Sequence, residues 1–278
     1  MAQSCNTTAT LRDFYLKKAR RGTAPVRQVF VQRHQDEADR SSTLAAFVNG
    51  RHKTALDLYL LLLALEPVVV ESPLSLQTWA MLLGPKITTA TTANAFKVLQ
   101  EWDLVHREPG KVVYNVRPLL EDRSSDPYIR PDGTADFKQW YFSIPHEHWT
   151  NGHADQLGLP GKAMMLVLLA GTSKKTSQNV AAQQVPRWYG FSERTAERGY
   201  RELRLAKLTQ ERETYERDPN TPIKLRRVYH RAFYEPFDTG TRLDRQASAA
   251  KAMRKKNGSA GDETGSKTAP VLGSKGVA

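Results

Sequence analysis

Histidines, a glycine-flanked lysine and a run of arginines are the residues of this 278-residue chain whose types and spacing bear on chemistry. His146-Glu147-His148, with His153 close behind, offers imidazole and carboxylate donors of the kind a metal takes. No cysteine or tight carboxylate cluster accompanies them, so the segment reads as a polar entry into a domain and no metal is expected. Gly158-Leu-Pro-Gly161-Lys162 places a lysine after glycines, as phosphate-cradling loops do. The glycines are too closely spaced, however, and no Ser or Thr follows Lys162. No Ser/His/Asp pattern stands out, and the expectation is a chain without enzymatic activity or cofactor.

The arginines are more informative. At 100° per residue Ala196, Gly199 and Leu203 share one helix face, while Arg194, Arg198 and Arg201 form a narrow stripe opposite. A guanidinium fork matches phosphate oxygens and the O6/N7 edge of guanine in the major groove, so the stripe suits DNA contact. The competing reading is a solvated face laced by Glu197–Arg201 and Arg198–Glu202 pairs at i,i+4 spacing. The preceding Gly190 fits a sharp turn needing positive φ, Phe191 would plug that turn, and Ser192 is placed to cap the helix.

A second, less basic stripe lies upstream. Thr92, Ala95, Phe96, Leu99 and Trp102 form a packing face, leaving Asn94 and Lys97 outward. Thr89 and Thr91 are candidates to cap this helix and touch phosphates, and Asn94 has the donor and acceptor an adenine edge needs.

Periodicity supplies the elements that must hold these stripes. A strand is expected over 26–31, a short helix over 42–48, then helices over 54–65, 75–83 and 88–102 and a hairpin turning at Pro109-Gly110 with Lys111 beside it. A strand over 138–144 opens a repeat of that order. It consists of a helix over 161–170, a second ending near Trp188, a third over 193–206, and a hairpin from Leu208 to Phe233. On this second hairpin Arg217, Lys224 and Arg226 are candidate phosphate or minor-groove contacts.

Helix, helix, helix and hairpin in this order resemble the winged helix-turn-helix superfamily over about residues 53–117 and 160–234. The resemblance implies a mainly α fold with small β wings and two winged helix-turn-helix domains. It also implies sequence-specific double-stranded DNA binding, most broadly in transcriptional control. Two such modules in tandem are also similar to plasmid replication initiators and to uncharacterised actinobacterial tandem proteins, and some winged helices serve protein association in chromosome-organising complexes.

Bulk properties agree with a polyanionic partner. Lys and Arg number 41 against 29 Asp and Glu, a formal net charge of +12. A single cysteine excludes an internal disulfide and fits the cytoplasm, near the nucleoid if DNA is bound. The most apolar run, Ala55 to Leu65, contains Asp57 and is too short to span a membrane. The expected organisation is a basic flexible arm (1–25), a first winged-helix domain (26–120), a linker rich in Asp, Pro and Ser (121–136), a second domain (137–240) and a disordered basic tail (241–278). A homodimer, or contact with the transcription or replication machinery, is compatible with this reading.

Overall fold

The computed structural model describes residues 2–108, 113–134, 136–220 and 222–261. Helix predominates, with four small two-stranded antiparallel sheets. The chain runs α1 (Ala2–Ala19), β1 (Thr23–Arg27), α2 (Thr43–Asn49), α3 (Lys53–Glu71), β2 (Leu74–Ser75), α4 (Leu76–Leu83), α5 (Thr89–Glu101), β3 (Val105–Arg107), β4 (Val113–Tyr114) and β5 (Val116–Pro118). It continues through β6 (Tyr141–Pro145), α6 (Glu147–Thr150), α7 (His153–Gln156), α8 (Leu159–Gly171), α9 (Val185–Tyr189), α10 (Glu193–Leu205), β7 (Thr209–Arg217), β8 (Leu225–Phe233) and α11 (Thr239–Gly261). Among the described residues no helix is long and apolar enough to cross a membrane.

Two helices, α3 and α8, are apolar on almost every side and are correspondingly buried along most of their length. Each carries one charge into the core, and the two charges meet: the Lys162 ammonium donates to Asp57, which Lys53 also holds at 2.8 Å. Burial brings Lys162 down to about 8, against the opposing pull of Asp57.

One pattern of connections occurs twice. After α3, β2 pairs with β4 on the return side of the β3–β5 hairpin, with α4 and α5 between. After α8, Gln178 forms a two-way backbone bridge with Arg231 on the return strand β8 (2.9 and 2.8 Å), with α9 and α10 between. In each case the segment following an apolar helix is stitched to the far strand of a hairpin.

Several expectations about the ends and the middle are corrected. The N-terminal stretch forms α1, not a flexible arm, because Thr8, Arg12, Leu16 and Ala19 make a buried helical stripe. Arg12 donates to the carbonyls of Leu82 (2.7 Å) and Leu83 (2.9 Å) at the end of α4 and pairs with Asp155 at 2.6 Å. The expected strand over 26–31 is shifted: β1 ends at Arg27 and a single 3-10 turn follows over Gln28–Phe30. Pro67 does not stop α3, which continues to Glu71 with Val69 buried.

The stretch 121–136 is packed against the body and is not a free linker. Glu121 is fully buried, its carboxylate 2.7 Å from Arg27 and its carbonyl accepting from Thr43 at 2.8 Å. The halves on either side of it interlock, since β1 pairs with β6 from Thr23↔Pro145 to Arg27↔Tyr141.

The tail is likewise not disordered from 241. It is helical to Gly261, because Arg242 is buried beneath it and donates to the Thr172 carbonyl (2.9 Å) at the end of α8, while Arg245 grips Glu147 with two bonds of 2.7 Å. Residues 262–278 of the expected tail lie outside the described residues.

Candidate nucleic-acid interface

Gly190 begins the site. Its φ of +75° turns the chain between α9 and α10, a conformation that favours glycine. A side chain there would also strike the Ser41 Cβ at 2.4 Å, and the Gly190 carbonyl accepts from Asn49 Nδ2 at 2.9 Å. The turn is therefore lodged against α2 and the residues before it. Phe191 is buried beneath it, as its place in the sequence predicts.

Ser192 caps α10, its Oγ accepting from the Thr195 amide at 3.2 Å. The inner face is set by Ala196, Gly199 and Leu203, all buried. Gly199 admits the closest approach, because a Cβ in its place would lie 2.4 Å from both Met164 Cγ and the Pro160 carbonyl of α8. From the same helix Glu202 reaches the first turn of α8 and accepts from the amides of Gly158 (2.9 Å) and Gly161 (3.0 Å). The glycines before Lys162 thus receive the Glu202 carboxylate, while Lys162 itself is paired with Asp57.

The outer face carries Arg194, Arg198 and Arg201, all exposed. Of the two possible intrahelical pairs, Arg198–Glu202 forms at 3.1 Å and Glu197–Arg201 does not. Among the described residues Arg194, Arg201 and the neighbouring Arg204 have no carboxylate partner. Arg201 and Arg204 border a cleft of about 630 Å³ whose other wall is β8, with Arg226, Arg227 and Arg231.

The hairpin cations are mostly engaged across the strands. Arg226 pairs with Glu216 (3.0 Å), Arg227 with Glu213 (3.1 Å) and Arg231 with Glu211 (2.9 Å). Arg217 and Lys224 are exposed at the distal end, where Lys224 adopts a φ of +53° and its carbonyl accepts from the Asp218 amide at 3.0 Å.

The upstream stripe is assembled in the same way with less charge. Thr88, rather than Thr89 or Thr91, caps α5, its Oγ1 accepting from the Thr91 amide at 3.1 Å. Asn94 and Lys97 are exposed, and Lys97 has Glu101 within 3.7 Å. Lys111 lies outside the described residues.

The histidines lie elsewhere. His148 is buried against Trp149, and burial keeps it well below the ordinary imidazole range. His146 is brought down to about 4 by the same cause. Among the described residues no group of three His, Cys, Asp or Glu is arranged to hold a metal.

Sequence reasoning missed Arg204 and an aromatic set on the second hairpin. Tyr200 donates to the Val180 carbonyl at 2.6 Å while the Arg231 guanidinium covers its ring at 3.7 Å. The alternation of Leu225, Arg227, Tyr229 and Arg231 along one strand was the signal available. Comparison with family models, curated proteins and solved structures finds no match for the chain.

Proposed function

We propose that the chain binds double-stranded DNA sequence-specifically through two winged helix-turn-helix modules, with α10 the principal reading helix. The twice-occurring order of helix, strand contact, two helices and hairpin supports the modules. So does the matching cap on each third helix, Thr88 to Thr91 and Ser192 to Thr195.

The observation that carries the reading is the unpaired state of Arg194 and Arg201 on the outer face of a helix whose inner face is locked onto α8. Free guanidinium forks on a fixed helix are preorganised for guanine edges and phosphates. With α10 in the major groove, the β7–β8 hairpin falls along the adjoining backbone, and a net charge of +12 favours the encounter. Helix α5, through Thr91, Asn94 and Lys97, is the weaker reader.

Transcriptional control near the nucleoid is the role this supports best. Selection of bound fragments from genomic DNA, followed by mobility shifts with Arg201→Ala, tests it. Fragments lying before genes fit regulation, clustered repeats at an origin fit replication initiation, and failure to enrich any fragment overturns the reading.

A further inference from the structure

One face of the β7–β8 hairpin alternates aromatic and cationic side chains from its foot to its tip. Residues opposite one another in antiparallel register share a face, so Glu213 with Tyr229, Tyr215 with Arg227, and Arg217 with Leu225 project to the same side. At the foot, the Arg231 guanidinium lies 3.7 Å from the Tyr200 ring centre and 5.6 Å from that of Tyr229. Further out, Arg227 donates to the Tyr229 hydroxyl at 3.0 Å and stands 6.0 Å from the Tyr215 ring. Glu213 fixes this outer rung, paired with Arg227 Nε at 3.1 Å and accepting from the Tyr215 hydroxyl at 2.6 Å.

Stability accounts for the inner rungs and not for the outer ones. Tyr215 is 56% exposed and Leu225 44% exposed, so neither ring nor side chain is held by a core. Same-face residues recur about every 6.8 Å along a strand. That is comparable to the spacing of nucleotides in an extended single strand. Aromatic faces stack any base, and interleaved arginines neutralise the backbone. A duplex keeps its base faces covered, so an ordered tyrosine among arginines is complementary to unpaired bases.

We propose that this hairpin face binds single-stranded nucleic acid, Tyr215 and Tyr229 stacking bases while Arg217 contacts the backbone and Arg227, held by Glu213, fixes the Tyr229 hydroxyl. It is a second binding activity, carried by the hairpin wall of the cleft that Arg201 and Arg204 of α10 border from the other side.

Fluorescence anisotropy of the full chain with thymidine and uridine oligomers of about 15 nucleotides measures it. Photocross-linking of an oligomer carrying 5-iodouracil maps the contact. Wild type should bind at least one oligomer and cross-link at Tyr215 or Tyr229. Preference for thymidine or for uridine identifies DNA or RNA as the source. Tyr215→Ala should weaken binding about tenfold at an unchanged melting temperature, and Tyr215→Phe should retain it because stacking needs the ring and not the hydroxyl. Undiminished binding by Tyr215→Ala, or cross-links elsewhere, overturns the proposal. Binding of selected duplex without either oligomer also overturns it while leaving the α10 reading intact, and oligomer binding without any duplex binding does the reverse.

Discussion

Glu202 and Gly161 are joined across two helices: the carboxylate at the end of α10 accepts the Gly161 amide at 3.0 Å within the first turn of α8. The first turn of a helix presents amides with no partner in its own backbone, and here the neighbouring helix satisfies two of them. Glu202→Ala should cost about 1–2 kcal/mol, in the range of a lost N-cap, and Glu202→Gln, which keeps one acceptor, should cost less. Urea unfolding of the three proteins checks this, and equal midpoints would remove the cap from the account.

Gly199→Ala should destabilise although alanine is the better helix former. The gain of about 1 kcal/mol in propensity is outweighed by overpacking of about 2–3 kcal/mol, since the Pro160 carbonyl cannot swing aside as a side chain can. A lower melting temperature by circular dichroism is the expected result.

For duplex binding, Arg194→Ala and Arg201→Ala should each weaken a selected site by about 1–3 kcal/mol and relax preference at particular bases. Arg198→Ala should cost less than either, because its guanidinium is already held by Glu202 at 3.1 Å. Mobility-shift titrations against single-base variants of the site rank the three, and a dominant Arg198 would contradict the geometry.

Arg12→Met should lower stability by about 2–4 kcal/mol, as the Leu82 and Leu83 carbonyls and both carboxylate oxygens of Asp155 lose a charged donor. Asp155 is partly exposed, which keeps the loss below that of a fully buried pair. A chain beginning at residue 21 should melt lower still, whereas a dispensable arm would leave melting unchanged.

Acid should unfold the protein through its histidines. His146 is held near 4 in the fold and His148 well below its ordinary value, both by burial. An unfolded imidazole takes its proton near 6.5, so the unfolded state binds more protons across the interval below that value. Stability therefore falls as pH drops from about 6.5 toward 4, by roughly 3 kcal/mol for His146 alone. His148→Phe should flatten the slope of melting temperature against pH in that window.

Most helices were legible because periodicity is local: α2, α8 and α10 begin and end within about two residues of the spans their apolar spacing predicts. The buried face of α10 and its exposed arginines were legible for the same reason. What escaped depends on partners distant in sequence. Arg12 looks like one more cation in a basic arm until Asp155 and the end of α4 are beside it, and Glu121 looks like the start of a linker until Arg27 is. Arg242 and Arg245 carry the tail in the same way, offering no local apolar pattern and finding carbonyls and a carboxylate on α8 and α6. Neutralisation of the hairpin cations by Glu211, Glu213 and Glu216 follows from strand register, which composition does not give.

The pairing of β1 with β6 also sets an order in time. Thr23 emerges from the ribosome long before Pro145, its partner in the sheet. At roughly 5–20 residues per second, the first strand waits on the order of ten seconds with its hydrogen-bonding edge open, and Arg12 waits longer still for Asp155. During that interval α3 and its neighbours can condense through local contacts, while the strand that will close the molecule is free to pair with another nascent copy. Crowded synthesis on one message is therefore the condition under which this chain is most exposed to exchanging its first strand with a sibling.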